Sequence, residues 1–161
     1  MQQRITSQGF GLVEVIVAVA IVTIVFTGLF RLVTLEIRTQ AIASQEAGAY
    51  LLAREALEAT RSVRDENWGT FAALSGSTPY YPVLEAGEWT LSPTSPGAVG
   101  IYARHIEVEP VYRDGSVNIA ESGSLDEDTR KVTAYVSWTS SGSVNRSIEL
   151  TTYFTNWQEY K

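Results

Sequence analysis

The sequence predicts an α+β fold in which a long N-terminal helix is followed by an antiparallel β-sheet. An apolar run at residues 10–30 is long enough for a membrane-spanning helix, and no proline occurs before Pro79 to interrupt its continuation. The last third of the chain contains segments in which apolar and polar residues alternate, as in half-buried strands. The predicted segments are a leader at 1–9, a transmembrane helix at 10–30, a continuation of the helix at 31–66 and a globular β-sheet head at 67–161.

The apolar run reads FGLVEVIVAVAIVTIVFTGLF and contains one charged residue, Glu14. A helix of this length is roughly 31 Å long, which matches the hydrocarbon core of a bilayer. A charged side chain at the centre of that core costs about 2.5–3.5 kcal/mol on insertion scales, and such residues usually serve a function. Glu14 is therefore the main candidate functional residue. The alternative is that Glu14 lies at the depth of the lipid headgroups and is solvated there.

The letters GFGLVE at residues 9–14, followed at once by the apolar run, resemble the class III signal peptide of type IV prepilins and type II secretion pseudopilins. The run LVEVIVAVAI is most similar to the V-type and I-type minor pilins. The resemblance implies that a prepilin peptidase cuts after Gly9, that the new N-terminal Phe10 is N-methylated, and that Glu14 serves filament assembly. It also implies a pilin-like fold, in which half of the helix spans the membrane and half packs on the sheet.

The resemblance implies a structural function, as a minor pilin or pseudopilin subunit of a type IV pilus or a type II secretion-like filament. The partners would be the prepilin peptidase, other pilin subunits, the inner-membrane assembly platform and the membrane itself. The chain would first cross the cytoplasmic membrane once, with its head outside, and then enter an extracellular or periplasmic filament. The resemblance does not distinguish a pilus from a secretion or DNA uptake machine, nor a major from a minor subunit.

Other interpretations of the N-terminal segment remain open. One is an ordinary secretory signal cleaved after Ala20, although Glu14 would interrupt its apolar region. Another is a plain single-pass anchor in which the glutamate is incidental. The alternative function is a membrane-anchored extracellular binding module that never polymerises and uses residues 70–100 to contact a ligand. An unprocessed leader would favour that function.

The amino-acid composition argues against several other classes of function. The formal net charge of −6 gives no electrostatic reason to expect non-specific binding to nucleic acid. The chain has no cysteine, so it forms neither disulfides nor cysteine-based metal sites, unlike the many pilins with a C-terminal disulfide. The one histidine, His105, lies in a predicted strand without a partner motif. No phosphate-binding loop, nucleophile elbow or HExxH motif occurs, so we predict no catalytic residue, metal ligand or cofactor.

The second part of the helix carries an apolar stripe that recurs every seven residues, at Leu35, Ile42, Ala49, Ala56 and Val63. From residue 49 the stripe broadens and includes Tyr50, Ala53 and Leu57. We therefore expect residues 49–66 to pack on the sheet and residues 31–48 to form a partly exposed stalk, with a coiled-coil dimer as the alternative. Gly69 should end the helix in a left-handed conformation, just after Trp68, which we predict to be a core residue that anchors the helix end.

The head should contain three main strands, at residues 101–112, 131–139 and 145–156, of which the last two form a hairpin. Residues 70–100 are rich in Ser, Gly, Pro and Thr and are predicted to be loop, with one short strand near residues 88–91.

Residues 114–128 are predicted to form a polar, acidic connection with one short strand at residues 117–120. Their carboxylates could bind calcium, but the spacing is not that of an EF-hand loop, and a solvated acidic loop is the default prediction. The ligand of residues 70–100, if they have one, cannot be read from the sequence.

Overall fold

A computed structural model of the chain describes residues 11–74, 76, 78–140 and 143–157. Gly9 and Phe10 lie outside these residues. The chain divides into two compact units, residues 1–43 and residues 44–161. A long N-terminal helix is followed by antiparallel sheets, which confirms the predicted α+β, pilin-like fold.

Two helices and six strands occur in the described residues. The helices are α1 at Leu12–Glu66 and α2 at Trp68–Ala72. The strands are β1 at Tyr81–Glu85, β2 at Glu88–Ser92, β3 at Tyr102–Arg113, β4 at Ile119–Ala120, β5 at Ser124–Ser140 and β6 at Val144–Thr155. Strands β1 and β2 pair as a two-stranded sheet, and the other four form an antiparallel sheet in the order β4-β3-β5-β6.

The core of the second unit lies between α1 and the four-stranded sheet. Three alanines of α1, Ala49, Ala53 and Ala56, are fully buried in one cluster with apolar side chains of the sheet. The sheet residues of that cluster are Ile106, Val108, Val132, Ala134, Val136, Trp138 and Phe154. The prediction that residues 49–66 pack on the sheet is therefore confirmed, although Tyr50 is 49% exposed and lies outside the stripe.

The alternation predicted for the last two strands is also confirmed. Along β5 the side chains of Val132, Val136 and Trp138 are buried, and Ser137 and Thr139 between and beside them are exposed. Strand β6 pairs with β5 from Thr155 back to Val144, as a hairpin requires. The apolar face of this hairpin is the face that the helix covers.

The end of the long helix differs from the prediction. Helix α1 ends at Glu66, and Asn67 then caps a second, short helix by accepting a hydrogen bond from the Thr70 amide at 2.9 Å. Gly69 lies inside α2 and is not left-handed. The asparagine side chain satisfies a free amide at the new N-terminus, and the buried Phe71 ties α2 to the core, so the chain does not need a glycine stop here. Trp68 packs on Phe71 with ring centroids 5.5 Å apart.

Two stretches predicted as loop contain strands. Strand β1 pairs with the expected β2 around Ala86 and Gly87, which both have positive φ, as a two-residue hairpin turn requires. Strand β5 begins at Ser124, seven residues before the predicted start, and its first part pairs with the end of β3. This acidic first part lacks an apolar alternation, so its strand state depends on pairing with β3 and could not be read from the pattern.

The helix meets the sheet earlier than predicted, at Gln45. The Tyr102 hydroxyl donates a hydrogen bond to the Gln45 carbonyl at 3.0 Å, and the Ser140 hydroxyl donates to the Gln45 side chain at 2.9 Å. Gly48 makes this contact possible, because a Cβ atom there would lie 2.6 Å from the Tyr102 hydroxyl oxygen. Tyr102 and Trp138 also pack together, with ring centroids 5.9 Å apart.

We expect Gly48→Ala to destabilise the head. The added methyl would displace the Tyr102 hydroxyl from the Gln45 carbonyl, and overpacking with loss of this partly buried hydrogen bond costs about 1–3 kcal/mol. The measurement is the unfolding midpoint of the detergent-solubilised full chain, followed by tryptophan fluorescence. Gly28→Ala is the matched control, because no atom lies within 4 Å of its Cβ position and alanine favours a helix. Equal unfolding midpoints for the two variants would contradict the prediction, because they would show that Tyr102 can move without loss of stability.

Candidate functional site at the N-terminal helix

The predicted site residue that the structure describes is Glu14, in the first turn of α1. The helix begins around the Gly11 carbonyl, which accepts hydrogen bonds from the amides of Glu14 at 3.0 Å and Val15 at 3.3 Å. A carboxylate in the first turn interacts favourably with the positive end of the helix dipole. Glu14 is therefore compatible with the start of this helix, although its charge does not suit the apolar residues that follow.

The first part of α1 exposes its apolar side chains. Leu12, Val13 and Phe30 are 78%, 72% and 70% exposed. The mean hydropathy of the best window in this helix is 2.6, and none of that window is buried. By length and composition, α1 can therefore cross a membrane. Apolar surface of this extent requires lipid or other apolar helices around it.

Threonine hydroxyls in this part of α1 find their partners within the helix. Thr23, Thr27 and Thr34 each donate to the carbonyl four residues earlier, at 2.8 Å. In hydrocarbon a polar group needs an internal partner, and this bond supplies one. Among the described residues, the Glu14 carboxylate has no side-chain or backbone donor of this kind. Its charge must therefore be solvated or paired from outside the helix.

The acidic connection after β3 uses its carboxylates within the head. The Asp114 carboxylate accepts from the amides of Ser116 at 2.8 Å and Asn118 at 2.9 Å, and these bonds, led by that from Asn118, lower its pKa. The Asp126 carboxylate accepts from the Arg113 guanidinium and the Asp128 amide. No cluster of three His, Asp or Glu side chains suited to a metal ion occurs within the described ranges. The arrangement stabilises the connection between β3 and β5.

Glu14 belongs to the first unit, whereas His105 and the acidic connection belong to the second. Sequence reasoning missed a row of three rings, Tyr81, His105 and Tyr135. In this row the His105 imidazole stacks on Tyr135 with 5.0 Å between ring centroids. Matching the alternation of β3 to that of β5 could have placed these two side chains on one face.

Comparison with known proteins gives one match. Residues 4–30 match the family described as the prokaryotic N-terminal methylation motif. The matched range contains Gly9, Phe10 and Glu14. Comparison with curated proteins and with solved structures gives no significant match.

Acid should destabilise the head through Asp126. Burial alone would raise the pKa of this carboxyl, but hydrogen bonds from Arg113, Thr129 and the Asp128 amide outweigh burial and lower it below 3.8. A lowered pKa in the folded state stabilises the fold above the unfolded pKa, and this contribution is lost as the pH falls through the folded pKa. We expect Asp126→Asn to lower the free energy of unfolding at pH 7 by about 1 kcal/mol.

The same variant should flatten the fall in stability below about pH 4, measured by urea unfolding of the detergent-solubilised chain at several pH values. Glu127→Gln is the control, because Glu127 is the exposed neighbour of Asp126. A pH dependence unchanged by Asp126→Asn would contradict the proposed source of acid sensitivity.

Proposed function

We propose that this type IV prepilin- or pseudopilin-like chain is a minor subunit of a type IV or type II secretion-like filament, assembled through α1. The methylation motif supports a precursor of the pilin or pseudopilin type that is processed by prepilin peptidase. In the proposal, cleavage occurs after Gly9 and Phe10 is methylated. The observation that carries the proposal is the Glu14 carboxylate, which has no partner among the described residues and lies at the start of an apolar segment of α1 that is fully exposed.

Cleavage after Gly9 would create a partner for the Glu14 carboxylate. The amine of the new N-terminal residue, Phe10, would lie four residues before Glu14, or about 6 Å along the axis if helical geometry extends that far. A neighbouring subunit shifted by about one helical turn would bring its amine to the level of this carboxylate. In a medium of low dielectric constant, pairing the two charges removes the cost of leaving either alone. The pair would also set the axial register between subunits.

The proposed function is structural, in line with the methylation motif. The motif implies processing by prepilin peptidase and assembly with other pilins, and we propose the inner-membrane assembly platform as a further partner. The motif and the apolar helix are consistent with a membrane-anchored precursor. We propose that the head, residues 67–161, faces outward and that the subunit later enters an extracellular or periplasmic filament.

The processing step predicts a defined mature chain. Because the leader precedes the apolar run, cleavage after Gly9 leaves the membrane helix attached to the head. The intact mass of membrane-extracted protein should correspond to a chain that starts at methylated Phe10. A bulky residue at position 9, as in Gly9→Leu, should block cleavage. A mature protein that begins near Ile21 would instead indicate a secretory signal.

The assembly step predicts a defect that is specific to Glu14. Glu14→Ala removes a group that is costly in hydrocarbon, so membrane insertion should become easier. Cleavage should continue, since the peptidase would recognise Gly9 and the leader. We expect processed Glu14→Ala protein to accumulate in the membrane and to be absent from sheared filaments and from cross-links to other pilins. Glu14→Asp should enter filaments at a reduced level, because its shorter side chain stretches the pair.

Glu36→Ala is the matched control, since Glu36 is also exposed on α1 but lies after the apolar run. This variant should enter filaments at the wild-type level. If Glu14→Ala enters filaments as well as Glu36→Ala does, the carboxylate is not the assembly contact. A leader that stays uncleaved in the wild-type protein would favour the membrane-anchored binding module.

A further inference from the structure

The four-stranded sheet has a second face, directed away from α1, that the proposed assembly does not use. The register places His105 opposite Tyr135, and Tyr135 opposite Glu149. The next pairs on this face are Glu107 with Thr133 and Glu109 with Lys131. We call this surface, centred on His105, Glu107, Tyr135 and Glu149, the outer face.

Aromatic rings form a row that runs from β1 of the two-stranded sheet onto β3 and β5 of the outer face. The His105 imidazole stacks on the Tyr135 ring at 5.0 Å between centroids with an angle of 15° between the planes. On its other side, His105 contacts the Tyr81 ring of β1 at 6.3 Å. About a third of the His105 side chain is exposed, at 34%. Because His105 and Tyr135 cover each other's facing sides, the row offers its ring edges and the free face of Tyr135 to a partner.

Carboxylates surround this aromatic row. Glu107 lies on the same strand as His105, and its Oε1 atom is 3.8 Å from His105 Nε2. Glu149 lies across from Tyr135 on β6 and is exposed. The Lys131 ammonium pairs with Glu109 at 2.8 Å, so this lysine neutralises a third carboxylate rather than these two. The outer face therefore keeps a negative charge at Glu107 and Glu149.

The arginines near these strands do not offset that charge, because they point to the helix side. Arg104 of β3 pairs with Glu55 of α1 at 2.8 Å. Arg146 of β6 pairs with Glu46 of α1 at 2.8 Å. These two arginines are therefore paired on the helix side and do not neutralise Glu107 and Glu149 on the outer face.

The negative charges of the outer face also act on Tyr135, the ring at one end of the row. Burial raises the pKa of the Tyr135 hydroxyl, and the charges of Glu107 and Glu149 raise it further. The same field that disfavours a phenolate favours a cation near the ring. A cation above an aromatic face is attracted by about 0.5–2 kcal/mol, more as water is excluded.

We propose that the outer face is a docking surface for a partner protein segment that carries lysine or arginine side chains. One cationic side chain would lie against the face of Tyr135 turned away from His105, within reach of the Glu107 and Glu149 carboxylates. Charge complementarity selects this partner over a neutral sugar, which would use the rings but would gain little from two flanking carboxylates. The proposal does not depend on polymerisation, because every residue that it uses belongs to the head of one chain.

The test is binding of fluorescently labelled hexalysine to the full chain in a neutral detergent at low and at physiological salt. We expect saturable binding that weakens as salt rises. Glu107→Gln with Glu149→Gln should weaken binding about tenfold, as expected from loss of two charges beside a cation–π contact. Tyr135→Leu should weaken it about fivefold, whereas Tyr135→Phe should bind like the wild type, because the ring is kept.

The matched control is Glu85→Gln with Glu88→Gln, which removes the same charge from exposed positions of β1 and β2. This control should change binding less than about twofold. Equal weakening by both double variants would show that binding depends on the overall negative charge and not on the outer face. This result would overturn the proposal. Binding of maltohexaose but not hexalysine would overturn it in favour of a sugar site. Tyr135→Leu and Tyr135→Phe test the ring contact even if the double variant fails to fold.

Discussion

The head depends on the close approach of helix α1 to strands β3 and β5, which small side chains at the contact allow. Ala49, Ala53 and Ala56 recur at helical spacing and are fully buried in the core cluster. Larger residues at these positions would separate the helix from Val132 and Val136 and open voids in the core. Because the alanines contribute little apolar area themselves, most of the buried area comes from the sheet and from the aromatic residues at its ends.

This approach also determines which charges face the helix. Once α1 covers one side of the sheet, any charged residue on that side must find a partner on the helix, since water has little access there. Arg104 meets Glu55 in this way, and only 11% of the Arg104 side chain is exposed. Residues on the other side have no such requirement and can remain acidic. The position of the helix therefore accounts for the ion pairs that Arg104 and Arg146 form with α1.

Much of the fold could be predicted because two periodicities are strong in the sequence. Seven-residue spacing identified Ala49 and Ala56 as the contact face, and alternation identified the buried side of β5 and β6. The first part of β5 could not be predicted, because Asp126, Glu127 and Asp128 are polar throughout and adopt a strand only by pairing with β3. The motif that includes Glu14 was recognised from local sequence alone. The aromatic row at His105 was missed because it depends on a register that joins distant segments.

Threonine hydroxyls find their hydrogen-bond partners in different ways in the two units of the chain. In the first unit, threonine hydroxyls bond to the helix backbone and leave an apolar surface that suits lipid. In the second unit, Thr133 and Thr151 bond to each other across β5 and β6 at 3.1 Å, within a sheet whose outer face meets water. Glu14 fits neither solution, because it sits at the start of the apolar helix without an internal partner among the described residues. A charge in that position is tolerated where a partner chain or the membrane surface compensates it, and this requirement is the physical ground for proposing that Glu14 takes part in assembly.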